Sequence, residues 1–417
     1  VVATCVALCC LHFECASEGI SLQTAQFSLD LLKTLPQEKN RNVVFSPLSI
    51  YSLLAVLQQG SNGSSRTEMN KILHAAAEVT REALKNVTAS IEQSDSLPSL
   101  RFVWKSRIKG NHNFTPEFQK VLRQDSKSRF RSEDTWNNAD GPTISSPKGF
   151  LSKIVVPSRS SSKTFAALAN LLYFNGMWAN YNTEERMMRF RPRPSEEYKA
   201  ESIHMKKTCF IGAASEVGAK WIHMPLAVRS NKQGKAVGVK PRASYYWSKR
   251  SISFMIMLPT EKHKLDKMLQ KLTPEILVKS FNYSSVTDSK GLELTIPSFH
   301  VNSSVNFKPV LKKLGLRSVF GNGTGLSDVS TEQQLFLSKI TQKGQLFVDT
   351  YGIRTSQNNE INFPYRFSEP LEESQQFTVD EPFLFFIVDR QNSLPLVAGR
   401  VTRPQMHEEE QYDAVLQ

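Results

Sequence analysis

The side chains that could do chemistry in this 417-residue chain do not fall into the spacings of common catalytic or metal sites. The eight histidines never stand four residues apart, and no His-Glu-x-x-His sequence occurs, which argues against a helical zinc site. There is no Gly-x-Ser-x-Gly nucleophile turn and no phosphate-binding Walker loop. The glycine-rich run at residues 321–325 contains a glycosylation sequon and follows a predicted helix, so we interpret it as a turn. The sequence predicts a protein that is not an enzyme and that holds neither a cofactor nor a metal.

Cysteine chemistry is concentrated in the opening apolar segment, residues 1–16, which contains four of the five cysteines. This segment has no Lys or Arg and ends beside the small residues Ala16 and Ser17. The pattern is typical of a secretory signal peptide, here expected to be incomplete at its start. A membrane anchor would need about 18 or more apolar residues and is disfavoured. Without the segment only Cys209 remains, which predicts a mature protein with no internal disulfide and a buried thiol.

Asparagine side chains offer a further chemistry, N-glycosylation. Six Asn-x-Ser/Thr sequons occur, at Asn62, Asn86, Asn113, Asn282, Asn302 and Asn322. One sequon carries little weight, but six in a chain with a predicted leader favour export. We therefore expect a secreted, extracellular glycoprotein.

Composition predicts a globular protein with a net charge of +13, 40% hydrophobic residues and 22% charged residues. In extracellular fluid a basic protein can bind a sulfated polysaccharide or another anionic surface. The Lys and Arg residues are dispersed, with clusters only at residues 120–131 and 186–193, and no aromatic-interleaved nucleic-acid module is present. A solvated surface is therefore the favoured interpretation and polysaccharide binding the alternative, with no nucleic-acid or membrane partner expected.

The stretch Leu335–Val388 predicts a strand, a long irregular loop and a second strand. Residues 335–340 and 346–348 are β-prone, and residues 383–388 form the continuous apolar run of a fully buried strand. The segment between them, about Asp349–Gln376, is polar and contains two prolines and three clustered acids. Structureless segments beyond about 12–15 residues are usually functional or disordered. The sequence alone leaves two interpretations, a disordered insertion or an exposed loop presented to a partner.

The predicted elements outside this loop must position it. They include helices and strands that do not alternate as βαβ units, which predicts an α+β fold. Ser46 and Pro47 predict the start of a helix that ends near Gly60. The spacing of Ser65 and Glu68 predicts a capping box that opens the next helix. Apolar runs at residues 164–174 and 252–258 predict buried strands, alternation at residues 292–297 predicts a half-exposed strand, and residues 126–162 are interpreted as loop. Length allows two or three average domains or one large mixed domain.

These segments together resemble the serpin family, and they occur in the family's order. The segments that carry the resemblance are Asn42–Ile50, Gly60, Thr67–Met69, Leu168–Asn170, Tyr173–Phe174, Trp178, Ile296–Phe299, Leu314–Gly315, Ser327–Ser330, Asp380–Ile387, Gly399–Val401 and Pro404. The resemblance covers residues 20–404 and leaves a tail at residues 405–417. It implies a monomer with one α+β domain, three β-sheets, surrounding helices and a reactive loop within Asp349–Gln376.

The family implies a suicide-substrate mechanism. A protease cuts the loop and is trapped as an acyl-enzyme while the N-terminal half of the loop inserts as a new strand in the central sheet. The hinge that enters first should be small, yet here only Gly352 fits the inhibitory pattern, and Ile353, Arg354 and Thr355 depart from it. Further along, burying Gln357 and Asn359 without partners would cost about 1–3 kcal/mol each. The sequence therefore predicts weakened or lost inhibition, with a binding, carrier or loop-cleaved role.

The alternative is a working inhibitor. Counting from Gly352 by resemblance places the scissile bond at Arg366–Phe367, and Arg366 would then select a trypsin-like serine protease. The loop beyond Arg366 is longer than usual, so the scissile bond is assigned only to within several residues. An ordinary exposed arginine is the competing interpretation.

The shutter beneath the loop is assigned by resemblance to Ser46, Ser49, Asn170 and Gln342. The family's histidine is replaced by Gln342, whose amide is expected to hydrogen-bond to Ser46, Ser49 or Asn170. Two stretches also depart from the family: residues 137–154, where its helix sequence is unrecognisable, and residues 178–190, which are about two residues short.

Overall fold

The computed structural model describes residues 19–36, 41–82, 100–109, 114–125, 130–131, 165–178, 183–207, 210–227, 252–281, 292–321, 325–330, 336–354 and 376–405. The helices of this part of the chain are α1 (residues 19–34), α2 (Pro47–Gln59), α3 (Gly63–Leu73), α4 (residues 77–82), α5 (Pro116–Asp125), α6 (Leu265–Lys271), α7 (Pro274–Phe281) and α8 (Phe307–Leu314). A 3₁₀ turn follows at Ser318–Phe320.

The strands, in chain order, are β1 (Val43–Phe45), β2 (Leu100–Lys109), β3 (Phe130–Arg131), β4 (Phe165–Trp178), β5 (Thr183–Arg193), β6 (Glu196–Lys207), β7 (Phe210–Ala214), β8 (Ala219–Ala227), β9 (Ile252–Pro259), β10 (Leu292–Pro297), β11 (Phe299–Asn306), β12 (Phe336–Asp349), β13 (Gly352–Arg354), β14 (Gln376–Thr378), β15 (Phe383–Asp389) and β16 (Leu394–Val401). Strand β3 lies inside the stretch interpreted as loop from the sequence. The rest of that stretch lies outside the described residues.

Three sheets result, and the predicted α+β class is confirmed. The central sheet contains β3, β2, β4, β13, β12 and β11, with β13 between β4 and β12. The core sheet runs in the order β1-β16-β15-β9-β8-β7, and the third sheet in the order β14-β10-β6-β5. The central and core sheets touch through two residue pairs of β4 and β8 at Met177 and Trp178.

The core sheet is buried because its strands are apolar on both faces. Every residue of β9, β15 and β16 is buried, as their continuous apolar runs predict. Gly399 lets β16 approach its neighbours closely, since a Cβ atom there would lie 2.2 Å from Phe385 Cζ and 2.4 Å from the Val43 carbonyl oxygen. A side chain at position 399 would therefore force the sheet apart.

The first and last described strands pair with each other. Strand β1 is antiparallel to β16, with Val43 opposite Arg400. The Asn42 amide fixes this junction, because its Oδ1 accepts hydrogen bonds from the backbone N–H groups of Thr402 (2.9 Å) and Arg403 (3.1 Å). One side chain thus ties the two ends of the fold together.

Helix α2 begins as the sequence predicts but ends for a different reason. The Ser46 hydroxyl accepts a hydrogen bond from the Ser49 backbone N–H at 3.2 Å, and Pro47 occupies the first turn. At its other end Gly60 is required by packing, since a Cβ atom there would lie 2.6 Å from Val329 Cγ2 and 2.8 Å from Phe118 Cδ2. The φ angle of Gly60 is −102°, so its role is close approach.

The capping box expected at Ser65 and Glu68 does not form. Helix α3 begins three residues earlier, after the N-cap residue Asn62, and Ser65 lies buried inside it. Glu68 instead accepts hydrogen bonds from the backbone N–H groups of Arg317 (2.7 Å) and Ser318 (2.8 Å). The carboxylate binds backbone N–H groups at the start of a 3₁₀ turn far along the chain. The spacing of Ser65 and Glu68 cannot reveal this contact.

His223 joins β8, β9 and α7 in the interior. Its Nδ1 accepts from the Ser253 hydroxyl at 3.0 Å, and its Nε2 donates to the Ser280 carbonyl at 2.8 Å. Complete burial lowers the pKa of His223 to about 4, because the charged imidazolium would lose its hydration.

This burial predicts a pH-dependent stability. Unfolded His223 takes up a proton near pH 6.5, whereas the folded form stays neutral down to about pH 4, so stability is complete above pH 6.5 and falls below it. We expect the free energy of unfolding to drop by on the order of 3 kcal/mol across this range. Urea titrations of the wild type and of His223→Gln, which stays neutral, measure it. An identical pH profile for both proteins would contradict the prediction.

Candidate functional site: the hinge and the shutter of the central sheet

The hinge of the loop is already a strand of the central sheet. Strand β13 is antiparallel to both neighbours, and Ile353 lies opposite Val348 of β12 and Gly176 of β4. Further down, β4 and β12 pair directly with each other as parallel strands, as far as Gly344 opposite Leu172. The hinge therefore fills the upper gap between two strands that are joined below it.

Contacts from three directions hold the turn before β13. The Asp349 carboxylate accepts a hydrogen bond from the Tyr351 backbone N–H at 2.9 Å and forms an ion pair with Arg354. Trp178 Nε1 donates to the Asp349 carbonyl at 2.8 Å, and the Thr183 hydroxyl donates to the Thr350 carbonyl at 2.9 Å. The turn is thus fastened to the top of β4 and to the start of β5.

The backbone conformation at position 352 explains why this residue is a glycine. Its φ angle is +148°, a backbone conformation that residues with a side chain rarely adopt. Beyond it, Ile353 is completely buried and the Arg354 side chain is only 15% exposed. Of the predicted site residues, Thr355, Arg366 and Phe367 lie outside the described residues.

The predicted shutter residues lie together beneath the hinge. Gln342 Oε1 accepts from the Ser46 backbone N–H at 2.6 Å, and its Nε2 donates to the Ser49 hydroxyl at 2.8 Å. The Ser46 hydroxyl donates to the Leu396 carbonyl at 2.6 Å. Asn170 stands opposite Gln342 in the β4–β12 register, and its side chain lies outside the described residues. Gln342 therefore joins the central sheet to helix α2 and, through Ser46, to the core sheet.

The chain that follows the loop is anchored separately. Strand β14 is parallel to β10, and the Val379 backbone N–H donates to the Thr295 carbonyl at 2.9 Å. Glu381 accepts from the His263 backbone N–H, and its burial raises the pKa of this carboxyl. Both ends of the loop are thus attached to different sheets.

Two of the six sequons fall on described residues, and their surroundings differ. The Asn62 side-chain amide donates hydrogen bonds to Ser327 and Asp328. Asn302 lies exposed on β11, at the edge of the central sheet. The sequons at Asn86, Asn113, Asn282 and Asn322 lie outside the described residues.

Sequence reasoning missed the Asp349–Arg354 ion pair, and no sequence signal could have identified it. The two residues lie on either side of a turn whose shape depends on the φ angle of Gly352 and on Trp178. Over the described ranges, no group of three or more His, Cys, Asp or Glu residues is placed to hold a metal. Nor does any helix in those ranges have the length and apolar character needed to span a membrane.

Comparison with known proteins agrees with this architecture. The family model described as "Serpin (serine protease inhibitor)" matches residues 22–404. The rat leukocyte elastase inhibitor A is 25% identical over 409 residues, which cover 93% of this chain and 100% of the relative. A structure of maspin has a TM-score of 0.71 at 20% identity, and uncleaved ovalbumin has a TM-score of 0.70 at 18% identity; the matches cover 93% and 92% of this chain and 100% of each structure. The chain belongs to the serpin family.

Proposed function

We propose that this chain is a serine protease inhibitor whose loop, once cut, inserts as a strand between β4 and β12. The observation that carries the proposal is the position of β13, which pairs with both of these strands. The first step of insertion needs no new register, because Gly352, Ile353 and Arg354 already have their partners. The next loop residues would extend a strand that exists.

The register of β13 fixes where each later residue would go. Val348 and Ile353, which lie opposite each other, both face the interior, so every second loop residue after Ile353 would follow it. Extending the two ladders places Thr355 opposite Leu346 and Phe174, Gln357 opposite Gly344 and Leu172, Asn359 opposite Gln342 and Asn170, and Ile361 opposite Ile340 and Leu168.

Extending this register would give Gln357 and Asn359 neighbours that the sequence alone did not identify. Gln357 would meet Gly344, which has no side chain and leaves room for a long amide. Asn359 would stand opposite Gln342 and Asn170, which pair with each other in the β4–β12 register. The penalty of about 1–3 kcal/mol for an unsatisfied buried amide is therefore reduced at Asn359. The polar loop residue Asn359 would thus lie beside Gln342, the shutter residue that replaces the family's histidine.

Weakened or lost inhibition remains the second candidate, and specific contacts favour it. Strands β4 and β12 are paired through eight residue pairs that must separate before the loop can pass. The Asp349–Arg354 ion pair and the Gln342 bonds to helix α2 hold the flanking strands in place. If separation is slower than hydrolysis of the acyl-enzyme, the protease escapes and the loop is only a substrate.

Incubation with trypsin-like serine proteases followed by denaturing gels distinguishes the two candidates. An SDS-stable complex, a cut after Arg366 and a higher melting temperature of the cleaved chain are expected for the inhibitor. The Arg366→Ala variant should lose the cut at this position. Cleavage without a complex and without a gain in melting temperature would establish the second candidate.

The basic cluster at residues 186–193 gives little support to polysaccharide binding. Arg186 pairs with Glu184 at 2.6 Å, and Arg191 pairs with Glu197 at 2.7 Å, so these arginines already have carboxylate partners. Elution from a sulfated resin at physiological salt would exclude this partner.

We also propose that the chain is exported and carries a glycan on Asn302. Enzymatic removal of N-glycans from the protein secreted by animal cells should reduce its mass, and Asn302→Gln should remove one glycan because this side chain is exposed. Asn62→Gln should leave the glycan mass unchanged, because the Asn62 amide is bonded to Ser327 and Asp328. The opposite pattern in the two variants would contradict this assignment.

A further inference from the structure

The last described residues of the chain are held beside the hairpin that joins β5 and β6. The Tyr198 hydroxyl of β6 donates a hydrogen bond to the Pro404 carbonyl at 2.9 Å, and the Arg403 guanidinium lies 4.7 Å from the centroid of the tyrosine ring. The Gln405 carbonyl accepts a hydrogen bond from the His300 backbone N–H at 2.7 Å. The chain that follows Gln405 therefore starts from a fixed point next to this hairpin.

The tip of the hairpin, residues 189–199, carries an excess of positive charge. Together with Arg403 it contains five cations and two carboxylates. Both carboxylates already have arginine partners. The pairs are Glu196–Arg403, Glu197–Arg191 at 2.7 Å and Glu197–Arg189 at 3.6 Å. The cations of the tip therefore outnumber the carboxylates that neutralise them.

Arg189 and Lys199 show this excess most clearly. They lie directly opposite each other on β5 and β6, and both side chains are exposed, that of Arg189 by 75%. Like charges in this arrangement destabilise a pair of strands. Within the described ranges, no carboxylate forms an ion pair with Lys199. An anion bound between the two side chains would remove their repulsion.

The segment after Gln405 can supply such an anion. Residues 406–413 contain four acids, three of them consecutive at residues 408–410, and neither Lys nor Arg. No other run of three consecutive acids occurs in the chain. The five residues that follow Gln405 span at most about 18 Å. One sheet layer is about 10 Å thick, so these residues can reach either face of the hairpin tip.

We propose that this acidic segment, residues 406–413, folds back onto the tip of the β5–β6 hairpin, with residues 408–410 against Arg189 and Lys199. The bound segment neutralises the tip within the molecule. A sulfated polysaccharide or another polyanion must displace the segment before it can bind these cations. The segment thus acts as an intramolecular competitor, and this role does not depend on protease inhibition.

The test measures how fast a glutamate-specific endoprotease removes the acidic segment from the full chain at low salt, with the products followed by mass spectrometry. We expect Arg189→Gln/Lys199→Gln to lose the segment roughly fivefold faster than the wild type, because cutting follows the released fraction and two exposed ion pairs are lost. The difference should disappear at about 0.5 M NaCl, where exposed charges are screened. Lys271→Gln/Lys279→Gln is the matched control, since both lysines are exposed on helices α6 and α7, and it should be cut at the wild-type rate.

Retention on a sulfated resin provides a second measurement. Replacement of residues 408–410 by glutamine should uncover the tip and shift elution to higher salt. The control has the same net charge but loses three exposed acids elsewhere on the molecule, through the substitutions Glu82→Gln, Glu216→Gln and Glu275→Gln. It should elute at lower salt than the variant without acids at 408–410.

Three results would overturn the proposal. The first is equal cutting of the wild type and Arg189→Gln/Lys199→Gln at low salt, with unchanged melting temperatures. The second is equally fast cutting of Lys271→Gln/Lys279→Gln, because the segment would then respond to the net charge of the molecule rather than to this tip. The third is elution of both glutamine variants at the same salt, which would mean that the segment does not cover the cations of the hairpin.

Discussion

If the chain inhibits as proposed, replacement of Ile353 by glutamate is expected to convert it from a protease trap into a substrate. Ile353 is completely buried between Val348 and Gly176, so a carboxylate there would lie in the sheet without a partner. The glutamate would displace β13 from the sheet in the uncut protein, so insertion after cleavage would have to bury it at a cost of about 3 kcal/mol, which slows insertion by roughly a hundredfold. The acyl-enzyme would then hydrolyse first. Loop cleavage should continue while the SDS-stable complex and the gain in melting temperature disappear.

The control for this substitution is Ile353→Thr, which keeps a β-branched side chain of strand character and adds one hydroxyl. It should retain most of the complex. Limited proteolysis of the uncut Ile353→Glu protein adds a second readout, because displacement of β13 would speed cutting of the loop. Equal amounts of complex from the glutamate variant and the wild type would contradict the placement of β13 on the insertion path.

Replacement of Gln342 by alanine is expected to lower the free energy of unfolding by about 3 kcal/mol. The substitution removes the partners of the Ser46 backbone N–H and the Ser49 hydroxyl, both completely buried. Each unsatisfied buried group costs about 1–3 kcal/mol. Urea denaturation followed by circular dichroism measures the loss.

Two variants make this result specific. Gln345→Ala, on the same strand, removes a half-buried amide that contacts His300, and it should cost about 1 kcal/mol or less. Gln342→His introduces the residue that the family resemblance expects and should recover part of the loss. If the two alanine variants are equally stable, the bonds of Gln342 to helix α2 do not hold the sheet.

Patterns made by neighbouring residues predicted much of this fold. Continuous apolar runs identified β9 and β15 as buried strands, and the sequence of Ser46 and Pro47 identified the start of α2. Each of these patterns involves only a few neighbouring residues, so it can be recognised in a single sequence. The family resemblance added the number of sheets, which is confirmed, and a predicted place for the loop.

What the sequence did not reveal depends on residues far apart in the chain. Glu68 fits a local capping box, but it bonds to Ser318, 250 residues later. The sequence predicted that buried polar residues such as Asn359 would penalise insertion, yet extending the register of β13 would bring Asn359 opposite Gln342. That pairing follows from the alignment of three strands, which hydrophobic periodicity does not encode.

The pairing of β1 with β16 has a consequence for how the chain is made. Strand β16 lies between β1 and β15, so the strand at residues 43–45 receives its partner only when residues 394–401 have left the ribosome. Until then the core sheet lacks two of its most buried members. Contacts that span nearly the whole chain slow folding and leave unpaired strand edges exposed during synthesis. Chains that stop before Leu394 should therefore aggregate or be degraded, however complete their earlier elements are.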